Sequence, residues 1–144
     1  MSLYHAKRLL ITLVTFYGFL SLPECAKASP SNLSVTSSIA LSDNAGNPSV
    51  TDSLKAIPLD FSAPLKTGTF SGNVKLYRVT VNGEKVEPSI ITIGKKSPAR
   101  ILLFKKNGTG FTQGEEYKIT ISEKVKSARG RSLAKEFIGY FTVN

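Results

Sequence analysis

The sequence predicts an all-β fold, an antiparallel sandwich of about seven strands. Three observations lead there. Beyond residue 34 no apolar period of helical spacing is sustained. The apolar residues instead fall in short runs rich in valine, isoleucine and aromatics, separated by glycine, proline and Asx clusters. Finally, two runs near the C-terminus alternate residue by residue. Tyr117, Ile119 and Ile121 alternate with Lys118, Thr120 and Ser122, and Phe137, Gly139, Phe141 and Val143 alternate with Ile138, Tyr140 and Thr142.

The elements follow in order. Residues 33–41 form a serine-rich first strand, with Val35, Ile39 and Leu41 on one side. The Asx-rich stretch 43–48 is a turn. Over 54–61, Ile57, Leu59 and Phe61 share a face, and Pro58 marks an edge or a bulge. The strand over 74–82 begins with Val74 and Leu76, then switches parity to Tyr77, Val79 and Val81, which predicts a bulge or a change of neighbours. Asn82-Gly83 between Val81 and Val86 predicts a type I′ hairpin. The continuous apolar runs 90–93 and 101–104 predict strands covered on both faces, joined by a turn over 94–98. Lys95, Lys96, Lys105 and Lys106 flank the second run as charges that discourage pairing with other chains. Tyr117 opens a strand in which its hydroxyl is expected to bond backbone at 111–114, a tyrosine corner. Residues 123–135 are basic and poor in apolar side chains, hence a loop across the end of the fold. Strands of this number and spacing fit an immunoglobulin-like sandwich.

Residues 1–28 read as a signal peptide, leaving 29–144 as a single domain. His5, Lys7 and Arg8 make a basic start, residues 9–22 a mostly apolar run, and Ala26-Lys27-Ala28 a cleavage site before Ser29. The run is short of the ~20 apolar residues a spanning helix needs, so no transmembrane segment is expected after cleavage. Acylation at Cys25 as a lipoprotein and retention as an uncleaved anchor are the competing readings. On each reading the product is exported, to the periplasm or the cell surface.

Composition then excludes whole classes of chemistry. His5 and Cys25 are the sole histidine and cysteine, and both lie in the leader. A mature chain without imidazole or thiol has no ordinary zinc or copper site, no Ser-His-Asp or Cys-His nucleophile and no disulfide. No cofactor is expected. Glu115 and Glu116 are adjacent on a strand and point to opposite faces, so they cannot converge as a glycosidase pair. Serine and lysine are plentiful, which leaves a serine–lysine pair open, but the expectation is a non-enzymatic protein. The net charge is +9, and removing the leader takes three basic residues and one glutamate with it, leaving +7. Both signs are interspersed, so the excess reads as solubility charge and no nucleic-acid partner is expected.

Three stretches carry a family resemblance. Residues 57–65, Ile-Pro-Leu-Asp-Phe-Ser-Ala-Pro-Leu, look like a strand ending in Phe-Ser-x-Pro-Leu/Val. Residues 111–121, from Phe111 through Gly114 and Tyr117 to Ile121, are similar to Leu-x-x-Gly-x-x-Tyr-x-Val-x-Val. Residues 125–133, from Val125-Lys126 through Gly130 to Leu133, and then Phe141-Thr142, resemble Val-Lys-Asp-x-x-Gly-Asn-x-Leu and a terminal Phe-Thr. Together they resemble the bacterial immunoglobulin-like family of S-layer proteins (the SbsA type), over about residues 54–143. Ser127 and Arg131 stand where that family has Asp and Asn, so a calcium role at the loop is not implied. Asp43, Asn44 and Asn47 offer oxygens elsewhere, but Asx-rich turns usually hold no metal. The chain also resembles periplasmic copper-resistance proteins, whose ligands are an N-terminal histidine and an Asp-Gly-His. Here those places hold Ser29 and Arg129-Gly130-Arg131, so the metal ligands are missing.

The resemblance implies an exported module for protein–protein or cell-envelope interaction. The alternative is an anionic glycan- or lipid-binding protein using Lys124, Lys126, Arg129, Arg131 and Lys135 in the loop. The partner on these readings is an envelope protein or an anionic glycan or lipid surface.

Overall fold

A computed structural model describes residues 32–94 and 97–144. The leader, including His5, Cys25 and the cleavage site, and the pair Lys95-Lys96 lie outside the described residues.

Among the described residues nine strands form two sheets: β1 (Val35–Ser37), β2 (Ser49–Thr51), β3 (Ile57–Phe61), β4 (Val74–Thr80), β5 (Gly83–Glu87), β6 (Ser89–Ile93), β7 (Arg100–Lys105), β8 (Glu116–Ile121) and β9 (Phe137–Val143). One sheet runs β1-β3-β7-β6 and the other β2-β9-β8-β4-β5. The result is an immunoglobulin-like sandwich. It has more strands than expected and is not wholly antiparallel, because β2 runs parallel to β9, pairing Ser49 with Phe141 and Thr51 with Val143.

The core lies between the sheets, where the alternation places it. Ile57, Leu59, Phe61, Ile101 and Leu103 face Leu76, Tyr117, Ile119, Ile121, Phe141 and Val143, and all are buried. Each such side chain contributes ~1.5–3 kcal/mol of burial. Three aromatic rings meet at one end: Phe111 stands edge-on to Tyr117 at 5.0 Å, and Tyr117 stacks on Phe141 at 5.4 Å.

Five local expectations need correction. The first strand is only three residues long, because the segment changes sheets: Val35–Ser37 pairs with β3, whereas Ser42 bridges to Tyr140 of β9. Pro58 accounts for the early stop. It lies in an interior strand without a bulge, and its missing amide falls on the β1 side, one pair beyond Ser37. The Ser37 hydroxyl closes that end by donating to the Pro58 carbonyl at 2.6 Å.

The parity switch in β4 is not a bulge either, since β4 pairs with β8 in unbroken register from Val74↔Ile121 to Val79↔Glu116. Tyr77 and Val79 therefore stand on the outward face, opposite in direction to Val74 and Leu76. The hairpin turns one residue earlier than Asn82-Gly83: Thr80 pairs with Gly83, leaving Val81 and Asn82 as the turn. A β-branched residue there disfavours type I′, and the positive φ of 107° falls on Gly83, just after the turn. Lastly, β6 is an edge strand rather than one covered on both faces, and Ile90 is 48% exposed.

Candidate functional site

The basic loop joins neighbouring antiparallel strands β8 and β9 and is held at both depth and rim. Val125, Ser127 and Leu133 are buried and anchor it. The Lys66 and Ala128 amides donate to the Lys126 and Pro64 carbonyls at 2.9 and 2.8 Å, tying it to the segment that follows β3. Within it, Ser127 organises a tight turn: its hydroxyl accepts the Arg131 amide at 2.9 Å, and its own amide donates to the Arg131 carbonyl at 2.8 Å.

The five predicted cations differ in what they line. Arg129 and Arg131 line a shallow pocket of about 280 Å³ with Ser62, Pro64 and Ala128. Lys124 lines a separate groove of about 410 Å³ on the outer face of the five-stranded sheet. Lys126 and Lys135 are exposed and line neither. Ser132-Leu133-Ala134-Lys135 has the Ser-x-x-Lys spacing of some acyl-transfer sites. On a bridged, non-helical segment residues three apart do not share a face, and no hydrogen bond joins Ser132 to Lys135 among the described residues.

The groove on the outer face holds residues that the sequence reading did not single out for function. Tyr77, Lys118 and Tyr140 form one cross-strand row over β4, β8 and β9. The Lys118 ammonium sits 5.5 Å from the Tyr77 ring centre and 5.6 Å from that of Tyr140. It also donates to both Glu84 carboxylate oxygens, at 2.9 and 3.0 Å. The Glu84 hydrogen bond holds its pKa above the usual lysine value, against the effect of burial. The signal in the sequence was the parity switch: an aromatic and a valine on the face opposite the core.

Lys105 also departs from its expected role. It is buried rather than a solvated flanking charge, with its ammonium 3.5 Å from the Tyr117 hydroxyl and 3.7 Å from Glu87. The tyrosine corner is present, for the Thr112 amide donates to that hydroxyl at 3.1 Å. The hydroxyl in turn donates to Glu115 at 2.8 Å, and Arg78 binds the other Glu115 oxygen at 3.0 Å. Burial pushes the Glu115 carboxyl up, but the bonds from Tyr117 and Arg78 and the charges of Arg78 and Lys105 outweigh it, so its pKa is lowered. This network ties β4, β7, β8 and the segment before β8 together.

No group of three or more His, Cys, Asp or Glu side chains is placed to hold a metal among the described residues. The Asx turn closes on itself, since the Asn44 side-chain oxygen accepts the Gly46 amide at 2.9 Å.

No protein-family model matches the chain, and no curated protein does. Solved structures do. The chain is similar to PcoC, a methionine-rich copper resistance protein from Escherichia coli (15% identity, TM-score 0.51), over 67% of this chain and 87% of that one. It is similar to E. coli alpha-2-macroglobulin (16% identity, TM-score 0.52) over 80% of this chain and 6% of that one. It is also similar to the N-terminal part of the bacterial S-layer protein SbsC (16% identity, TM-score 0.49), covering 65% of this chain and 21% of that one. At these identities the likeness is one of fold. The present chain has a single methionine, Met1.

Proposed function

We propose that this chain is an exported, non-enzymatic interaction module of the cell envelope, which takes an extended strand of a protein partner along β6. The observation that carries this reading is the contrast among the sheet edges. β1 and β2 have three residues each, and β5 carries Glu84, Lys85 and Glu87. Short or charged edges are the usual guards against pairing. β6, Ser-Ile-Ile-Thr-Ile, has neither guard.

Its free groups follow from the ladder. The Gly94 amide donates to the Arg100 carbonyl and the Lys106 amide to the Pro88 carbonyl, so even-numbered residues of β6 bond to β7. The amides and carbonyls of Ser89, Ile91 and Ile93 therefore face outward. A row of alternating donors and acceptors in extended register is matched by the backbone of another strand, with Ile90 and Thr92 offering side-chain contacts.

The test is selection of binders from displayed fragments of envelope proteins against the purified protein, followed by Thr92→Lys. Thr92 is exposed, so the change spares the core while placing a charge on the edge. Support would be selected fragments rich in β-branched residues whose binding falls at least tenfold with Thr92→Lys. Binding indifferent to that substitution, or a dimer of this chain occupying the edge instead, would refute the reading.

A further inference from the structure

We propose that the outer-face groove between the start of β4, β8 and the basic loop is a binding site for a carboxylated saccharide. The inference is independent of the β6 edge, which belongs to the other sheet. It rests on what lines the groove and on what those groups leave unmet.

Lys75 and Lys124 stand on its rim, both exposed, and neither side-chain ammonium has a hydrogen-bond or ion-pair partner among the described residues, the Lys124 backbone amide alone donating to the Ser122 hydroxyl. They are the anion-binding pair. Lys118 lies in the same groove, but its charge is committed to Glu84. Its function there is to hold the Tyr77 ring in place from one side. Tyr77 has no core to fill on this face, and its partly exposed ring offers an apolar plane among the mostly polar residues that line the groove. Sugar rings present C–H faces that pack on such planes, as other apolar groups do.

Glu136 decides the class of ligand. It is exposed in the groove and likewise has no partner among the described residues. A site built for phosphate or a lipid headgroup gains nothing from a carboxylate, which repels the anion. A saccharide brings hydroxyl donors, which a carboxylate accepts, while its own carboxylate reaches the two lysines. Ser122 adds a hydroxyl able to donate. The groove, at about 410 Å³, falls in the range of small-ligand sites.

The experiment titrates the purified protein at low salt with a glucuronate-containing disaccharide, followed by calorimetry. Its neutral counterpart, inorganic phosphate and vesicles of anionic lipid are the comparison arms. The account predicts binding of the acidic disaccharide at least tenfold tighter than any of the three. Lys75→Gln with Lys124→Gln should weaken it at least tenfold, and Glu136→Gln should weaken the disaccharide while strengthening phosphate. Arg129→Ser with Arg131→Ser, which alters the other pocket, should leave it unchanged. All the groove substitutions fall at exposed positions, and an unchanged urea midpoint for each variant shows that the fold persists. Absence of disaccharide binding, equal binding of the neutral sugar, phosphate or vesicles, or full binding by the double lysine variant would each overturn the proposal.

Discussion

Replacing Tyr117 with Phe removes a hydroxyl that takes part in three hydrogen bonds while leaving its ring packed. The ring is fully buried against Phe111 and Phe141, so no cavity opens and the packing contribution is retained. What is lost is polar. The Thr112 amide loses its acceptor at 3.1 Å, worth ~1 kcal/mol net. The bond to the Glu115 carboxylate at 2.8 Å is charge-assisted, worth ~1.5–3 kcal/mol. The lower end applies, because the Glu115 side chain is 30% exposed and keeps Arg78. The bond from Lys105, at 3.5 Å, is long enough to add little. The expected loss is therefore ~2–3 kcal/mol, more than the ~1 kcal/mol that a single corner bond implies. Urea denaturation followed by tyrosine fluorescence or far-UV circular dichroism measures it, with the slope unchanged because the surface exposed on unfolding is the same. A loss below ~0.5 kcal/mol, the range of an ordinary surface change, would refute the reasoning.

Three further outcomes are expected. Ile119→Ala, at a fully buried position, should cost ~2–5 kcal/mol by the same assay. Stability should fall on acidification. The Glu115 pKa is lowered in the folded state, as is that of Asp60 through its bond to Arg100, so the unfolded chain binds more protons. Their contribution is present above the unfolded carboxylate values of ~4 and is lost as pH falls through the folded ones, and in Tyr117→Phe the acid-induced loss should be smaller. Arg129→Ser with Arg131→Ser should change stability by at most ~0.5–1 kcal/mol, and its retention on anionic surfaces at low salt tests whether their pocket binds anions.

What the sequence made legible was the inward face. On strands β3, β8 and β9 the fully buried side chains lie on one face, so alternation at Ile57/Leu59/Phe61, at Tyr117/Ile119/Ile121 and at Phe141/Val143 reports the core directly, although Thr120 and Tyr140 are also buried on the opposite face. The tyrosine corner was legible because its partners lie within a few residues of Tyr117. The remaining features depend on pairing between distant residues, which local pattern does not encode. β2 is a strand only because Ser-Val-Thr lies along β9. A run of isoleucines reads alike at the centre and at the edge of a sheet, so β6 was misplaced. Lys105 is indistinguishable from its exposed neighbour Lys106 until Glu87 and Tyr117 are brought beside it. The loop cations were visible as a group, but the surface each one lines was not: Lys124 lines one groove and Arg129 and Arg131 another pocket.

Strand addition at β6 is tested most directly by amide hydrogen exchange. In the free protein the Ile90 and Thr92 amides, bonded to β7, should exchange slowly, and those of Ile91 and Ile93, facing outward, quickly. With a selected partner fragment bound, the account predicts that the Ile91 and Ile93 amides become protected, while exchange along β5, the edge of the other sheet, is unchanged. A bound fragment that leaves the Ile91 and Ile93 amides exchanging as fast as before would contradict it.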